Sequence, residues 1–175
     1  MILDVTHLRE PRLHLERTHE PAAFGTEEVY RIVAPVRLVM DVQKDREKIG
    51  LMGTLQTVLE LDCSRCLEGF AVPVDAQFDL LYVPAAENAG VDEKEIEEDD
   101  LDTAYYREGV IDLADLVREQ LYLALPMKPL CQEACRGLCS ECGTNLNSGA
   151  CSCTPAWEDP RLAPLKVLAR KKPDA

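Results

Sequence analysis

The sequence is poor in aromatic residues and contains no long apolar run. Phenylalanine, tryptophan and tyrosine together make up 5% of its 175 residues. Hydrophobic residues nevertheless reach 46%, which is enough for a core built mainly from aliphatic side chains. No run of about 18 apolar residues exists, so the sequence predicts no membrane-spanning helix and no membrane partner. The length suits one domain, or one domain with a small appended module.

The first residues also lack the features of a secretory signal. Met1–Thr6 has neither a basic start nor the beginning of a long apolar segment, and no small-residue cleavage site follows. We therefore expect the protein to stay in the compartment where it is made. The expected compartment is a reducing cytoplasm, where disulfides are rare.

The common catalytic motifs are missing. The sequence has no Gly-x-Ser-x-Gly elbow, no Walker phosphate loop, no dinucleotide-binding glycine pattern and no His-Glu-x-x-His. Most of its clustered carboxylates lie in one low-complexity run, where a positioned acid–base pair is not expected. We therefore predict a protein that is not an enzyme, without catalytic residues, an organic cofactor or a small-molecule substrate.

Positive charge is scarce, which disfavours a protein that grips phosphate backbones with its whole surface. Nineteen basic residues face 32 acidic ones, which gives a formal net charge of −13. Eight acids and one lysine lie between Asp92 and Asp102, a run typical of a solvated loop and also suited to a basic partner. The C-terminus is basic and indicates only weakly a contact with nucleic acid, through Lys166, Arg170, Lys171 and Lys172.

The middle of the chain alternates polar and apolar residues with the period of a β-strand. Alternation of this kind places one face of each strand against a core and the other in water. Three long antiparallel strands form a meander that can curl into an open half-barrel, and its apolar face needs a cover. The predicted strands, with the two turns between them, are Val29–Val42, Gln43–Lys48 (turn), Ile49–Asp62, Cys63–Gly69 (turn) and Phe70–Val83.

A helix is predicted to supply that cover. Asp112 is a good N-cap, the leucine-rich stripe after it has helical spacing, and Pro126 stops the helix. Residues 1–25 are expected to be irregular apart from a short strand signal at Arg12–Glu16. A linker is expected over Pro84–Gly109, and a short final helix is expected to begin at Pro164.

These elements predict an α+β fold. It consists of an antiparallel β-meander or half-barrel, covered by one main helix and followed by a cysteine-rich module resembling a zinc knuckle. Residues 1–128 are assigned to the β-rich core with its helix. Residues 129–175 are assigned to the cysteine-rich module, with the short C-terminal helix packed on it. Apolar periodicity disappears after Leu130, and a stretch with so little to bury usually holds its shape only when it is cross-linked.

Cysteine is the residue that this sequence has in excess. Eight are present, and two pairs have Cys-x-x-Cys spacing, namely Cys63 with Cys66 and Cys139 with Cys142. Two residues between thiols let a tight turn aim both sulfurs at one tetrahedral ion, and in a reducing compartment this spacing favours zinc over disulfides. Eight thiolates suffice for two closed structural sites. The other four cysteines lie near the second pair and are Cys131, Cys135, Cys151 and Cys153.

The spacing leaves three groupings open. In the preferred one, the helix that ends before Pro126 delivers Cys131 and Cys135 to the turn that holds Cys63 and Cys66. The second site is then formed by Cys139, Cys142, Cys151 and Cys153. A rival grouping takes Cys131, Cys135, Cys139 and Cys142 locally and leaves the first pair without enough partners. In the third, only one site is filled, so the expected content is one or two structural zinc ions.

A function of a different class would use Cys63 and Cys66 as a redox pair. A thioredoxin-like pair opens a helix, whose N-terminus lowers the pKa of the first thiol. Here the pair lies in a predicted turn between strands, which fits a metal site better. The alternative function is therefore a cytosolic thiol redox enzyme or sensor, and finding this pair far from the other cysteines would favour it.

In combination, these motifs resemble the YceD family of bacterial and plastid proteins. The resemblance covers roughly residues 30–170 and lies in Leu61–Leu67, Ile111–Leu113, Glu119–Pro126, Pro129–Cys131, Cys135–Cys139, Cys142–Asn147, Cys151–Cys153 and Asp159–Arg161. It implies a non-enzymatic role in biogenesis of the large ribosomal subunit, through accumulation of the large (23S) ribosomal RNA. The acidic charge favours a large-subunit ribosomal protein or the pre-ribosome as partner. Direct RNA contact through Lys166–Lys172 or Arg65 is the weaker alternative.

Overall fold

The computed structural model describes residues 1–6, 8, 11–25, 27–85, 103–153 and 161. The described residues are mostly sheet with one α-helix, which confirms the predicted α+β class. A 3-10 helix spans Pro21–Phe24. The strands and the helix are β1 (Ile2–Asp4), β2 (Arg12–His19), β3 (Arg31–Ile32), β4 (Val36–Asp45), β5 (Lys48–Asp62), β6 (Gly69–Pro84), β7 (Thr103–Tyr106), β8 (Val110–Asp112) and α1 (Leu113–Ala124).

Some predicted features lie outside the described residues. They are the acidic run Asp92–Asp102, the final helix expected from Pro164 and the basic residues Lys166–Lys172. Among the residues that are described, no helix has the length and apolar character needed to cross a bilayer.

Six strands form one mixed sheet. Its main order is β2-β4-β5-β6-β7, and the short β3 also pairs with β5. The β4–β5 hairpin closes where Asp45 faces Lys48, and the β5–β6 hairpin closes where Asp62 faces Gly69. All pairs in this sheet are antiparallel except β6 with β7. The predicted meander is therefore its centre, and a half-barrel curvature stays a prediction.

The alternation in the central strands places their apolar side chains on one buried face. Every second residue of β4 from Val36 to Val42 is at most 1% exposed. The same holds in β5 for Ile49, Leu51, Leu55 and Leu59. Because β5 pairs with β4 on one side and β6 on the other, its side chains form the middle of the core. At about 25 cal/mol per Å² of buried apolar surface, such a face is the main source of stability.

Helix α1 covers this face, as its sequence predicted. The Asp112 carboxylate accepts a hydrogen bond from the Ala114 N–H at 2.7 Å and so caps the helix. The buried side of the helix belongs to the same core as the sheet and consists of Leu113, Leu116, Val117, Gln120 and Leu121. The helix is also tied to the chain start, since the Leu113 N–H donates to the Met1 carbonyl at 2.7 Å.

The strand predicted over Val29–Val42 is wrong in its extent. Pro35 has no N–H to donate and interrupts it, so that β3 and β4 are separate strands that both pair with β5. The carbonyl exposed at the break is satisfied by the Thr57 hydroxyl, which donates to Ala34 at 3.0 Å. The break therefore turns the chain without leaving that part-buried acceptor unpaired.

The irregular N-terminal region and the long linker are also wrong in part. The strand signal at Arg12–Glu16 extends to His19 and forms an eight-residue edge strand against β4, and Ile2–Asp4 pairs with β8. Within the expected linker, Thr103–Tyr106 pairs in parallel with the end of β6. Short edge strands with charged residues carry a weak periodic signal, because pairing rather than patterning fixes them.

Candidate metal centres

The eight cysteines are gathered into two sets of four. In each set the Sγ atoms all lie within 4.8 Å of one another. None of the eight is in a disulfide. We call Cys63, Cys66, Cys131 and Cys135 the first tetrad, and Cys139, Cys142, Cys151 and Cys153 the second tetrad.

The first tetrad joins the β5–β6 turn to the chain that follows α1. Cys63 and Cys66 lie in the turn, and Cys131 and Cys135 lie beyond the helix. A hydrogen bond from the Ser64 N–H to the Pro129 carbonyl at 2.9 Å links the turn to the segment after α1. The first tetrad thus joins two segments that are far apart in sequence, since Cys63 and Cys135 are separated by 72 positions.

Arg65 also holds this junction between the β5–β6 turn and the segment after α1. Its guanidinium donates to the Cys135 carbonyl at 2.7 Å and to the Glu133 carbonyl at 3.4 Å. Its own carbonyl accepts from the Leu138 N–H at 3.2 Å. Gly137 lies against it with a φ of 73°, and a Cβ there would be 3.0 Å from the Arg65 carbonyl oxygen. Arg65, which the sequence suggested as a weak RNA contact, therefore has a structural role at this junction.

The sulfur spacing in the first tetrad fits a tetrahedral ion. Cys63 Sγ lies 3.7 Å from Cys135 Sγ, and Cys66 Sγ lies 3.7 Å from Cys131 Sγ. Four sulfurs about 2.3 Å from a central zinc form a tetrahedron with edges of about 3.8 Å. The observed S–S distances of 3.7 Å agree with this edge length, so the residues of the first tetrad fit zinc geometrically.

Burial and nearby donors act on the thiols of the first tetrad in opposite directions. Burial opposes ionisation of Cys63, but surrounding backbone N–H groups outweigh it and lower the pKa of this thiol to about 6. The Asn147 amide, which lies 3.3 Å from the sulfur, is the main reason that the pKa of Cys135 is lowered. Burial raises the pKa of Cys131 to about 12, and its neighbouring thiols add to the rise.

The second tetrad is more open to solvent. Cys142 and Cys153 are exposed, whereas Cys139 and Cys151 are half-buried. The Thr144 hydroxyl lies 3.1 Å from Cys142 Sγ and is the main reason that the pKa of this thiol falls to about 6. The side-chain hydrogen bond with Cys142, and then burial, raise the pKa of Cys153 to about 12.

The closeness of the thiols adds to the uneven pKa values in both tetrads, beside the burial and hydrogen bonds described above. Where one thiol ionises readily, its charge suppresses the ionisation of the neighbours that lie within 4.8 Å of it. A divalent cation at the centre removes this repulsion and deprotonates the remaining thiols. The donor set, the spacing and the charge requirement of both tetrads therefore suit a soft divalent ion such as zinc.

The two Cys-x-x-Cys turns share one backbone pattern. The Leu67 N–H donates to the Cys63 carbonyl at 2.9 Å, and the Gly143 N–H donates to the Cys139 carbonyl at 3.0 Å. In both turns the N–H of the first cysteine donates to the carbonyl five positions on, at 3.0 and 2.9 Å. The residue after the second cysteine is left-handed in each, with φ of 60° at Leu67 and 72° at Gly143. Leucine adopts this conformation at a cost of about 1–2 kcal/mol, so the turn must be imposed by its surroundings.

The structure brings together the cysteines of the preferred grouping. Of the described side chains, these are the two groups of three or more that are close enough to share an ion, so the rival local grouping is not formed. Cys63 and Cys66 lie in a turn between strands, not at a helix start, and they are not remote from the other cysteines. That the eight cysteines bind metal stays a prediction.

Sequence reasoning assigned no role at the sulfurs to Thr144 and Asn147, and none to Arg65 at this junction. Asn147 reaches a sulfur of the other tetrad, and Arg65 reaches the Cys135 carbonyl across about 70 positions, so both contacts depend on the tertiary fold. The Thr144 hydroxyl lies near Cys142 Sγ within its own turn. The local signal was that Thr144 and Asn147 closely follow a Cys-x-x-Cys pair, where side-chain donors to thiolates are frequent. No such local signal predicts that the Arg65 side chain donates to the backbone carbonyls of Glu133 and Cys135.

The chain is similar to proteins named for ribosomal RNA accumulation. It is 30% identical over 155 residues to the "Large ribosomal RNA subunit accumulation protein YCED homolog 1, chloroplastic" of Arabidopsis thaliana, covering 77% of this chain and 48% of that protein. It is 29% identical to the Zea mays protein of the same name, covering 75% and 53%. An uncharacterized protein of Mycobacterium bovis is 30% identical, with 85% and 72% covered. The chain spans about half the length of the two plant proteins.

No solved structure is detectably similar to this chain. The family described as "Large ribosomal RNA subunit accumulation protein YceD" matches residues 51–169. This range begins in β5 and contains all eight cysteines of the two tetrads. On this match and on the similarity to the plant and mycobacterial proteins, the chain belongs to the YceD family.

Proposed function

We propose that this protein is a non-enzymatic factor in biogenesis of the large ribosomal subunit, held in shape by structural zinc. In this role it supports accumulation of the large ribosomal RNA in the compartment where those ribosomes assemble, which for a bacterium is the cytoplasm. The names of its plant relatives support the process. The grouping of eight sulfurs into two sets, each within 4.8 Å, is the observation that supports the zinc-stabilised scaffold.

Zinc in these tetrads would be structural and not catalytic. Four thiolates complete the coordination of zinc and leave no position for water or substrate. In the first tetrad, two ligands come from the β5–β6 turn and two from the segment after α1. The metal would therefore fix the cysteine-rich module on the end of the sheet, and its binding free energy would be folding free energy.

We propose a basic segment of a large-subunit ribosomal protein as the direct partner. The formal net charge of −13 favours a basic protein over an RNA backbone. A groove of about 580 Å³ between β7 and the start of α1 provides a surface of matching chemistry. Three tyrosines, four carboxylates and one arginine line it, together with apolar side chains.

The potential in this groove is negative. The pKa of Tyr82, at its wall, is raised to about 12, first by burial and then by the carboxylates of Glu119 and Asp115. Tyr105 is 52% exposed and presents an aromatic face on which a lysine or arginine can stack. The chain's own segment before Thr103 carries eight acids and one lysine from Asp92 to Asp102, so like charge disfavours it as the occupant.

Reversing one groove charge is expected to weaken binding of a basic peptide. The probe is a lysine- and arginine-rich peptide of about 12 residues, measured by fluorescence anisotropy at two salt concentrations. Glu119→Lys and Tyr105→Ser should each raise its Kd about threefold to tenfold, because each removes one attraction for a cation.

The matched control is Glu20→Lys, which makes the same charge change at an exposed residue outside the groove. The Glu20 side chain makes no capping bond, so its loss should not disturb the fold. Equal Kd values for Glu119→Lys and Glu20→Lys would contradict the groove as the binding surface. Tighter binding of an RNA oligonucleotide than of the peptide would contradict the choice of a protein partner.

The function itself is tested by depletion in the source cells. We expect the ratio of large-subunit to small-subunit ribosomal RNA to fall, because the large RNA fails to accumulate. The wild-type chain should restore the ratio, and a variant with Cys63 and Cys135 both changed to serine should not. An unchanged RNA ratio after depletion would contradict the proposed process, whatever the metal content of the protein.

A further inference from the structure

The loop of the second tetrad reaches back to a sulfur of the first. Asn147 lies between Cys142 and Cys151, yet its side-chain amide donates to Cys135 Sγ at 3.3 Å. It is therefore a residue of one tetrad's loop that contacts a ligand of the other tetrad. Hydrogen bonds to ligand sulfurs lower the energy of the thiolate form and orient the ligand.

Two further hydrogen bonds hold Asn147, one at its side-chain amide and one at its backbone N–H. The Arg136 N–H donates to Asn147 Oδ1 at 2.8 Å, so the NH2 group is the one that faces the sulfur. The Asn147 backbone N–H donates to Asn145 Oδ1 at 2.9 Å, which closes a turn within the loop. Asn147 thus reaches both the ligand Cys135 and the residue after it from a single, defined position.

The loop that carries Asn147 begins and ends at ligands of the second tetrad, and a backbone bond from the Leu146 N–H to the Gly137 carbonyl at 2.9 Å also holds it. At its start, the Thr144 carbonyl accepts from the Cys139 N–H at 2.9 Å, and the Thr144 hydroxyl lies 3.1 Å from Cys142 Sγ. Its eight residues run between two ligands of one site, Cys142 and Cys151. An ion in the second tetrad would therefore tie both ends of the loop together and reduce the number of conformations available to Asn147.

We propose that Asn147 couples the two metal centres, so that an ion in the second tetrad raises the affinity of the first tetrad for its own ion. This inference rests on the proposed structural zinc. When the second ion has already ordered the loop, the entropic cost of ordering it no longer opposes binding of an ion at the first tetrad. By linkage the first ion raises the affinity of the second by the same factor. A lost hydrogen bond to a ligand typically lowers metal affinity about 10–100-fold, which sets the expected scale.

The test titrates the reduced, metal-free full chain with Zn²⁺ against a chelating indicator and resolves the two sites. A double variant, Cys142→Ser with Cys151→Ser, removes the second site. We expect it to weaken zinc binding at the first site about tenfold. Asn147→Ala should weaken the first site by a similar factor. Adding Asn147→Ala to the double variant should then change the zinc affinity of the first site little, because the second ion can no longer act through Asn147.

Ser148→Ala is the matched control, since this exposed neighbour in the same loop bonds only the Asn145 carbonyl, at 3.4 Å, among the bonds recorded for its side chain. It should leave the first-site affinity unchanged. Should the double variant fail to fold, Asn147→Ala alone decides. The zinc affinity of the first site in wild type should then exceed that in this variant about tenfold.

First-site affinity that is equal in wild type, the double variant and Asn147→Ala would overturn the coupling while leaving both zinc sites in place. Absence of zinc binding at either tetrad would overturn the coupling together with the structural zinc of the proposed function.

Discussion

Replacing Cys63 by serine is expected to release one metal ion and to destabilise the whole chain. The side chain is fully buried, and its sulfur lies 3.7 Å from Cys135 Sγ at the junction of the sheet and the cysteine-rich module. Three thiolates and a hydroxyl bind zinc far more weakly than four thiolates. We expect the free energy of unfolding to fall by on the order of 5 kcal/mol, since a structural ion contributes folding energy directly. Urea denaturation with parallel elemental analysis measures both effects.

Two variants of the same chain serve as controls for that measurement. Ser64→Ala changes an exposed neighbour in the turn whose backbone, not its side chain, bonds Pro129. Its expected effect is within about 0.5 kcal/mol. Cys153→Ser removes an exposed ligand of the second tetrad and should cost less than Cys63→Ser, because that site holds a smaller part of the fold. Retention of both ions and of normal stability by Cys63→Ser would contradict the first tetrad as a metal site.

Replacing Gly53 by valine is expected to be the most damaging change in the sheet away from the cysteines. A Cβ at Gly53 would overlap the Val39 carbonyl oxygen and lie 2.8 Å from both Met40 Cβ and the Phe78 ring. The residue is in the central strand β5, whose neighbours on both sides are paired and cannot withdraw. We expect a loss of about 3 kcal/mol or more, or a failure to fold. Thermal unfolding and the soluble yield measure the effect.

Gly50→Ala is the matched control in the same strand. A Cβ there would have Gln43 Cβ as its nearest neighbour at 3.8 Å, which is ordinary contact. It should change stability by less than about 1 kcal/mol, with a gain expected from the lower entropy of the unfolded chain. Similar losses for both variants would show that β5 is not packed between β4 and β6 as described.

The central sheet and the helix were predictable because the spacing of their apolar residues matches the period of the buried face. The alternation from Leu51 to Leu61 and the stripe from Leu113 to Leu121 each match one buried face. The Asp112 cap and the stop before Pro126 needed only local chemistry. These elements fold as their own residues dictate, so no knowledge of distant contacts was required.

The edges of the sheet were not predictable in the same way. The alternation around Pro35 predicts one continuous strand, although the missing N–H of this residue divides β3 from β4. The edge strand β2 alternates exposed polar residues with half-buried ones, a pattern that also suits a loop. Thr103–Tyr106 is a strand only because it lies beside the end of β6. In all three cases a partner strand, rather than the local sequence, determines the structure.

The grouping of the cysteines could be preferred from sequence but not decided by it. Spacing alone permits Cys131 and Cys135 to join either Cys-x-x-Cys pair. The choice depends on where the chain lies after α1, which is fixed by the Ser64–Pro129 hydrogen bond and by Arg65 on the Cys135 carbonyl. The conformation of Leu67 could not be predicted either. Its backbone is left-handed, with φ of 60°, which leucine disfavours, so the surrounding fold imposes it.

Native mass spectrometry of the intact, reduced chain, with the metal identified by elemental analysis, measures the central claim directly. We expect two zinc ions per chain, one for each tetrad, and eight thiols that resist alkylation until a chelator is added. A chain that carries no metal and forms a reversible disulfide between Cys63 and Cys66 would contradict it.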